Sequence, residues 1–310
     1  MRLRPLLITA LLACPLAACS PKSASPEAEP TLLNPYFASS DTLMTVGGVD
    51  MRYRDEGPKD APVLVMVHGF TASLETWDAL ADNLKADYRI IRLDLPGHGL
   101  SSADASGDYS NARTVDLFNL LLTQLELDEV TVIGNSLGGL VAWRAALDNT
   151  ETIEKLVLIS PGGFSINGVT ETPVDVPIMV KFYLSKAPTA GVKQASTALY
   201  GDASKLTEAR LKVIEDMMKQ PGNGDAFVAR AGQFTLPSPE NDLQNAKAET
   251  LVIWGDKDLM VPPAHGQKFI ELMPNATLKT YEGVGHVPQE EVPEKLADDI
   301  RSFLEGNASP

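Results

Sequence analysis

Cysteine is almost missing from this chain. Two occur in 310 residues, Cys14 and Cys19, and both fall in the first twenty. The rest of the chain can therefore build no disulfide framework and offers no thiol nucleophile. Histidine is also scarce: His68, His98, His265 and His286 are the full set, and no cluster of His or Cys has metal-ligand spacing. Positive charge is in short supply, with 26 Lys and Arg against 41 Asp and Glu and a formal net charge of -15. Nucleic acid needs cationic contacts to its phosphates, so this balance argues against such a partner. It argues equally against electrostatic binding to anionic lipid. The glycine-rich stretch GNSLGG lacks the G-x-G-x-x-G layout of a dinucleotide site, and no cofactor is expected.

What the first residues do hold is the layout of an export signal. Arg2 and Arg4 precede an apolar stretch from Leu6 to Ala18, too short for a comfortable membrane span, and Cys19-Ser20 follow. Leu16-Ala17-Ala18-Cys19 resembles the lipobox of bacterial lipoproteins, in which the cysteine is acylated and becomes the mature amino terminus. The resemblance implies a signal peptide over residues 1–18, lipidation at Cys19 and a lipid anchor to the membrane. Ser20 resembles the sorting pattern for the outer membrane of a Gram-negative bacterium. Several buried acyl chains, each contributing roughly 0.8 kcal/mol per CH2, hold an acidic protein on a bilayer without basic residues. Residues 19–40, rich in Ser, Pro, Ala and Glu and lacking apolar periodicity, read as a flexible tether.

From residue 41 the pattern alternates between strands and helices, as α/β proteins do. LMTVGGVDMRYRDEG predicts an antiparallel hairpin turning at Gly47-Gly48. VLVMV (Val63–Val67), RIIRL (Arg89–Leu93), VTVI after Val130 and LVLI (Leu156–Ile159) are apolar strands of the kind buried on both faces in a parallel sheet. Helical spacing separates them, through Leu74, Trp77, Leu80 and Leu84, then over 112–127, then from Leu137 to about Asp148. Between Phe164 and about Glu249 no core strand is expected, and residues 205–218 have helical spacing. The pattern resumes at LVIW (Leu251–Trp254) and ATLKTY (Ala276–Tyr281), and a closing helix carries Val292, Leu296, Ile300 and Leu304. The simplest architecture is a mostly parallel sheet over 41–163 and 250–310, interrupted by a helical segment over 164–249 that covers one end. Within that segment the apolar run Ile178, Met179, Val180, Phe182 and Tyr183 reads mainly as its core.

Chemistry concentrates at Gly134-Asn135-Ser136-Leu137-Gly138, a G-x-S-x-G with a strand before it and a helix after it. Such a turn lifts a serine hydroxyl above the sheet and sets it at a helix N-terminus, where backbone N–H groups favour an anion. The hydroxyl needs a base. His68 and His98 sit on turns that precede the serine, and His265 falls on or near a surface helix. His286, in the loop EGVGHVP after the last strand, is the candidate base. An acid must orient that imidazole, and WGDKDLMVP after the seventh strand offers Asp256 and Asp258.

HGFTASLETW, DLPGHGLS, GNSLGG, WGDKDLMVP and GVGHVPQEEVP, in this order, resemble the motifs of the α/β-hydrolase superfamily over nearly everything from residue 43 to residue 305. The resemblance implies the α/β-hydrolase fold, a mostly parallel central sheet flanked by helices, with a helical cap inserted after the sixth strand. It implies a catalytic set of Ser136, Asp258 and His286, since the family's G-x-x-D pattern selects Asp258 over Asp256. It places the oxyanion hole at the backbone N–H groups of Phe70 and Leu137. His68, Asp94, Pro96 and the glycines at 97, 99 and 139 read as scaffold.

A serine in place of the aspartate nucleophile sets the chain apart from the dehalogenases and epoxide hydrolases of the superfamily. The elbow resembles those of lipases and esterases, including lipoprotein forms, and also those of hydrolases that cleave carbon–carbon bonds in meta-ring-fission products. The latter usually carry a Gly-Pro-Gly-type oxyanion loop and an aromatic residue after the histidine, where this chain has Gly69-Phe70-Thr71-Ala72 and Val287. The expectation is a carboxylesterase or lipase acting on a small-molecule ester with an apolar acyl chain. A carbon–carbon hydrolase, or a non-catalytic binding protein on the same fold, is the alternative.

Overall fold

The computed structural model describes residues 34–306. The expected signal peptide, the lipidation site Cys19 and most of the tether lie outside the described residues. The residues from Ala38 onward form one unit, and no helix among the described residues is long and apolar enough to cross a membrane.

Eight strands pair into one sheet: β1 (Asp41–Val46), β2 (Val49–Glu56), β3 (Val63–Val67), β4 (Arg89–Leu93), β5 (Val130–Asn135), β6 (Ile153–Ile159), β7 (Glu249–Gly255) and β8 (Ala276–Tyr281). Their order is β1-β2-β4-β3-β5-β6-β7-β8. Only β2 runs against its neighbours, β1 and β4. The β1–β2 hairpin closes through Gly47 and Gly48, both at positive φ, the conformation a two-residue hairpin turn demands. The chain passes from β3 to β4 on one side and then returns to place β5 on the other side of β3. That reversal opens a crevice beyond the carboxyl ends of β3 and β5, where ligands of open α/β sheets bind. Register puts Val67 beside both Leu93 and Gly134, so these strands finish level with one another.

Helices clothe both faces. The segment Leu74–Trp77, expected as the first turn of a helix, is a 3₁₀ turn leading into α1 (Asp78–Leu84); the Asp94 carboxylate takes the N–H of Leu74 at 2.7 Å and fixes the entry. Next come α2 (Asn111–Gln124) and α3 (Leu137–Asp148). Between β6 and β7 stand α4 (Ile178–Lys186), α5 (Thr189–Thr197), α6 (Glu208–Met218), α7 (Asn223–Gln233) and α8 (Glu240–Gln244). The chain then runs through α9 (Ala264–Leu272), α10 (Pro288–Glu291) and α11 (Pro293–Leu304). One face of the sheet packs Val65, Val132 and Leu158 against Phe118 and Trp143. The other packs Leu64, Met66 and Ile253 against Trp77, Leu296 and Ile300.

Helices α4 to α7 carry a core of their own, built on Leu184, Val192, Leu211, Met218 and Phe227. Here the structure corrects two expectations. Ile178, Met179 and Phe182 are not core: they are 77%, 70% and 51% exposed. Helix α4 buries Leu184 and part of Tyr183 against the neighbouring helices, and no described residue covers its other side. His265 is not on a surface either. It is buried on α9 with its ring 5.3 Å from that of Phe164, edge to face.

The turn from β5 into α3 is tight. A Cβ on Gly138 would lie 2.0 Å from the carbonyl oxygen of Val67, so α3 starts where the end of β3 leaves room for glycine alone. Gly138→Ala should lower the unfolding midpoint by the equivalent of about 1–3 kcal/mol, the usual cost of overpacking. Gly232→Ala on α7 would meet nothing nearer than Val176 at 3.9 Å and should be neutral or add up to about 1 kcal/mol. Thermal melts of the two variants check this, and equal melts would remove the close approach as a constraint.

Candidate active site

Ser136 joins β5 to α3 with φ 55° and ψ -114°, a conformation that costs a non-glycine residue about 1–3 kcal/mol. Its surroundings hold it there. The Ser136 N–H donates to the Ile159 carbonyl, and its own carbonyl accepts from the N–H groups of Leu140 and Gly162, each at 3.0 Å. The side chain is left on the wall of a cavity of about 530 Å³, which His286, Phe70 and Leu137 also line.

His286 lies in the loop between β8 and α10 and is 5% exposed. Its Nδ1 meets Asp258 Oδ2 at 2.8 Å. The other oxygen of Asp258 accepts the N–H groups of Met260 and Val261 at 2.8 and 3.0 Å. Burial works to raise the Asp258 carboxyl, but the bond and charge of His286 and the N–H of Val261 outweigh it, and the net shift is downward. The carboxylate is therefore the acceptor and Nδ1 the donor, which leaves Nε2 as the nitrogen that can serve as a base. Asp256 is elsewhere: its carboxylate caps the turn at Gly283 N–H, 2.7 Å away.

Two attachments of His286 have no counterpart in the sequence reading. Its N–H donates to the carbonyl of Leu199, in the turn after α5, at 2.7 Å. Its carbonyl accepts from Asn135 Nδ2 at 3.0 Å. Asn135 was in plain view as the second residue of the motif, but nothing local says that its amide reaches across 151 positions.

The N–H groups of Phe70 and Leu137 donate to no acceptor among the described residues. Leu137 is the first residue of α3, where the helix has no carbonyl to offer it. Phe70 lies in the turn after β3, which His68 braces from beneath: Nε2 accepts the N–H of Leu95 at 3.0 Å, so Nδ1 carries the proton toward the Gly69 carbonyl at 2.7 Å. Burial keeps this imidazole neutral by pulling its pKa down to about 4. The two open N–H groups and the Ser136 hydroxyl border the same cavity, an arrangement able to hold an oxyanion next to a nucleophile.

Most of the cavity wall is apolar, including Val180, Tyr183, Leu184, Ile214, Phe234 and Met260. Met217, Met218 and Phe227 of the same segment are buried outside it. A charged group interrupts it. Arg210 of α6 forks onto Glu290 of α10 with two bonds of 2.8 Å. Thr76 donates to the same carboxylate at 2.5 Å, and Tyr200 donates a short bond to it as well. Burial acts to raise the Glu290 carboxyl, yet the charge and bonds of Arg210 hold it below its ordinary range. Sequence offered no signal for this pair, whose members are 80 positions apart.

Residues 62–293 match the family model of the alpha/beta hydrolase fold, so the chain belongs to that family. It is 30% identical over 270 residues to a 2-hydroxy-6-oxononadienedioate/2-hydroxy-6-oxononatrienedioate hydrolase of Paraburkholderia xenovorans, covering 83% of this chain and 91% of the relative. It is 27% identical over 278 residues to Lipase 1 of Psychrobacter immobilis, covering 84% and 83%. Among solved structures, a meta-cleavage product hydrolase from Pseudomonas fluorescens superposes with a TM-score of 0.75 at 24% identity, over 86% of this chain and 98% of that one. These neighbours establish a hydrolase family and its fold.

The Arg210–Glu290 pair generates a pH-resolved prediction. Arg210→Met strands a buried carboxylate and should cost about 3–5 kcal/mol at neutral pH. In the parent the Glu290 pKa is depressed, so its stabilisation is present above the ordinary value of 4.5 and fades as pH falls through the folded value. In the variant the pKa rises above 4.5, and stability instead falls as pH rises. The deficit should thus shrink steadily from pH 7 to pH 4, and Arg210→Met/Glu290→Gln should recover much of it. Denaturant titrations at several pH values provide the measurement; a deficit independent of pH would mean that packing, not charge, is lost.

Proposed function

We propose that this protein is a serine hydrolase of carboxylic esters. The carrying observation is the imidazole of His286, tied through Nδ1 to a carboxylate and sharing one largely apolar cavity with a serine on a strained turn and with two open backbone N–H groups. In this reading Ser136 Oγ attacks the ester carbonyl carbon as its proton passes to His286 Nε2. The oxyanion rests on Phe70 N–H and Leu137 N–H. As the ester C–O bond breaks, His286 returns the proton to the departing alkoxide and an acyl-enzyme remains. Water then adds to the acyl carbon, again losing a proton to His286, and Ser136 leaves with it. Asp258 stays ionised and fixes the ring. Apolar cavity walls support an apolar acyl chain.

A second reading is hydrolysis of a carbon–carbon bond, favoured by the likeness to the dienedioate hydrolase of Paraburkholderia xenovorans. Against it stand Phe70-Thr71-Ala72 in the oxyanion loop and Val287 after the histidine. We also propose that the chain is exported and anchored through acylated Cys19. Cys19→Ser should then move the protein out of the membrane fraction; an unacylated mature terminus at any other residue, read by mass spectrometry, would contradict the anchor.

Ser136→Ala, His286→Ala and Asp258→Asn should each lower hydrolysis of p-nitrophenyl esters by about 10⁴-fold or more, and Asp256→Asn should stay near the parent. A serine-directed phosphonate should label Ser136 alone. Rapid bleaching of a yellow ring-fission dienoate with negligible turnover of esters would decide for the carbon–carbon reading.

A further inference from the structure

One arginine in the cavity has no partner of opposite charge among the described residues. Arg230 projects from α7, is 2% exposed and lines the same cavity as Ser136. Its Nη1 donates to Thr114 Oγ1 at 2.9 Å and, more weakly, to the Tyr109 carbonyl at 3.4 Å, and its guanidinium carbon sits 5.4 Å from the centre of the Tyr109 ring. Nε and Nη2 are both buried and have no hydrogen-bond partner among the described residues. Burial pulls its pKa down to about 10, which still leaves it charged at neutral pH.

The other deeply buried arginines are treated differently. Arg52 meets Asp41, Glu75 and Asp94, and Arg92 meets Glu56 and Asp78. Arg210 has Glu290. Carboxylates are not lacking in a chain with 41 of them against 26 basic residues. A buried cation left without a counter-charge is strongly destabilising, so its retention on the wall of a ligand cavity needs a reason. The charged residues of that wall are Arg210, Arg230 and Glu290. Glu290 is saturated by Arg210, Thr76 and Tyr200, so the cavity keeps one uncompensated positive charge.

Nε and Nη2 form one edge of the guanidinium, and two parallel N–H groups on one edge are the fork that receives a carboxylate in bidentate fashion. We infer that Arg230 binds a carboxylate of the substrate, so that the ester cleaved at Ser136 is an acidic one, apolar along its length and anionic at one end. This rests on the ester-hydrolase reading above. The carboxylate comes from the acyl portion or from the alcohol portion, and the two sources are separable.

Two matched pairs test it. Monoethyl adipate against ethyl adipamate places carboxylate or neutral amide on the acyl side. The butanoate ester of 4-hydroxybutanoate against that of 4-hydroxybutanamide places them on the alcohol side. The parent should favour the acid in one pair by about thirtyfold in kcat/KM, as expected for a buried charged fork. Arg230→Gln should bring that ratio close to one, and Arg230→Lys should keep part of it, because charge survives without the fork. A variant that merely loosens the fold lowers both members of a pair and leaves the ratio. Equal rates for acid and amide in both pairs of the parent would overturn the inference while leaving ester hydrolysis standing. Should no ester be cleaved and Ser136 resist the phosphonate, titration calorimetry of the same pairs on Ser136→Ala still decides. Tighter binding of the acid, lost in Ser136→Ala/Arg230→Gln, sustains the anion site, and equal affinities remove it.

Discussion

The close approach of the Val67 carbonyl to the backbone of Gly138, which leaves no room for a Cβ there, sets the positions of the nucleophile and both donors. It requires β3 and β5 to finish level and α3 to begin at once. Ser136 is then forced into a left-handed turn with its hydroxyl above the sheet. The same contact brings the turn after β3 alongside the first N–H of α3, so Phe70 and Leu137 border one space. A side chain at position 138 would separate the two strand ends and, with them, the nucleophile from both donors. Geometry here is a consequence of backbone packing, and the side chains that do chemistry inherit it.

Electrostatics supplies the second layer. Buried charges beneath and around the cavity are matched in sets: Asp94 accepts from Leu74 and Leu100 and faces Arg52, and Glu290 faces Arg210. Burial, with the like charge of Glu75, pushes the Asp94 carboxyl up to about 7 despite these partners. His68 is held neutral by the same pressure. Against that background a guanidinium with two idle nitrogens is conspicuous, and ligand binding explains it better than fold stability does.

How far the sequence reads depends on range. The strands of the central sheet were legible because a parallel sheet buried on both faces needs unbroken apolar runs, and VLVMV and LVLI are such runs. Ser136 was legible because its turn requires glycines at fixed local offsets. Asp258 could be separated from Asp256 only by family pattern; in space the difference is plain, since one carboxylate faces His286 and the other caps a turn. The exposed side of α4 is misread because its apolar residues spread over most of the helix, leaving only Lys181, Ser185 and Lys186 to mark a polar side. Arg230, Arg210 and Glu290 were illegible, since neither burial nor the absence of a partner is a property of neighbouring positions. Leu199 could not have been found at all: it contributes a carbonyl, which every residue has.

That carbonyl has a mechanical consequence. The turn between α5 and α6 is stitched to the His286 loop by Leu199 and by Glu291, whose carboxylate accepts the N–H groups of Gly201, Asp202 and Gly285. Lys205 adds a bond to the Glu291 carbonyl at 2.8 Å. Any hinge that opens the covering helices must therefore lie on the far side of this stitch, toward α4, because a hinge through 199–205 would drag the imidazole out of line. That part of the cover is a fixed jamb for the histidine. Segments exchanged between relatives to alter substrate range would have to carry the jamb unchanged.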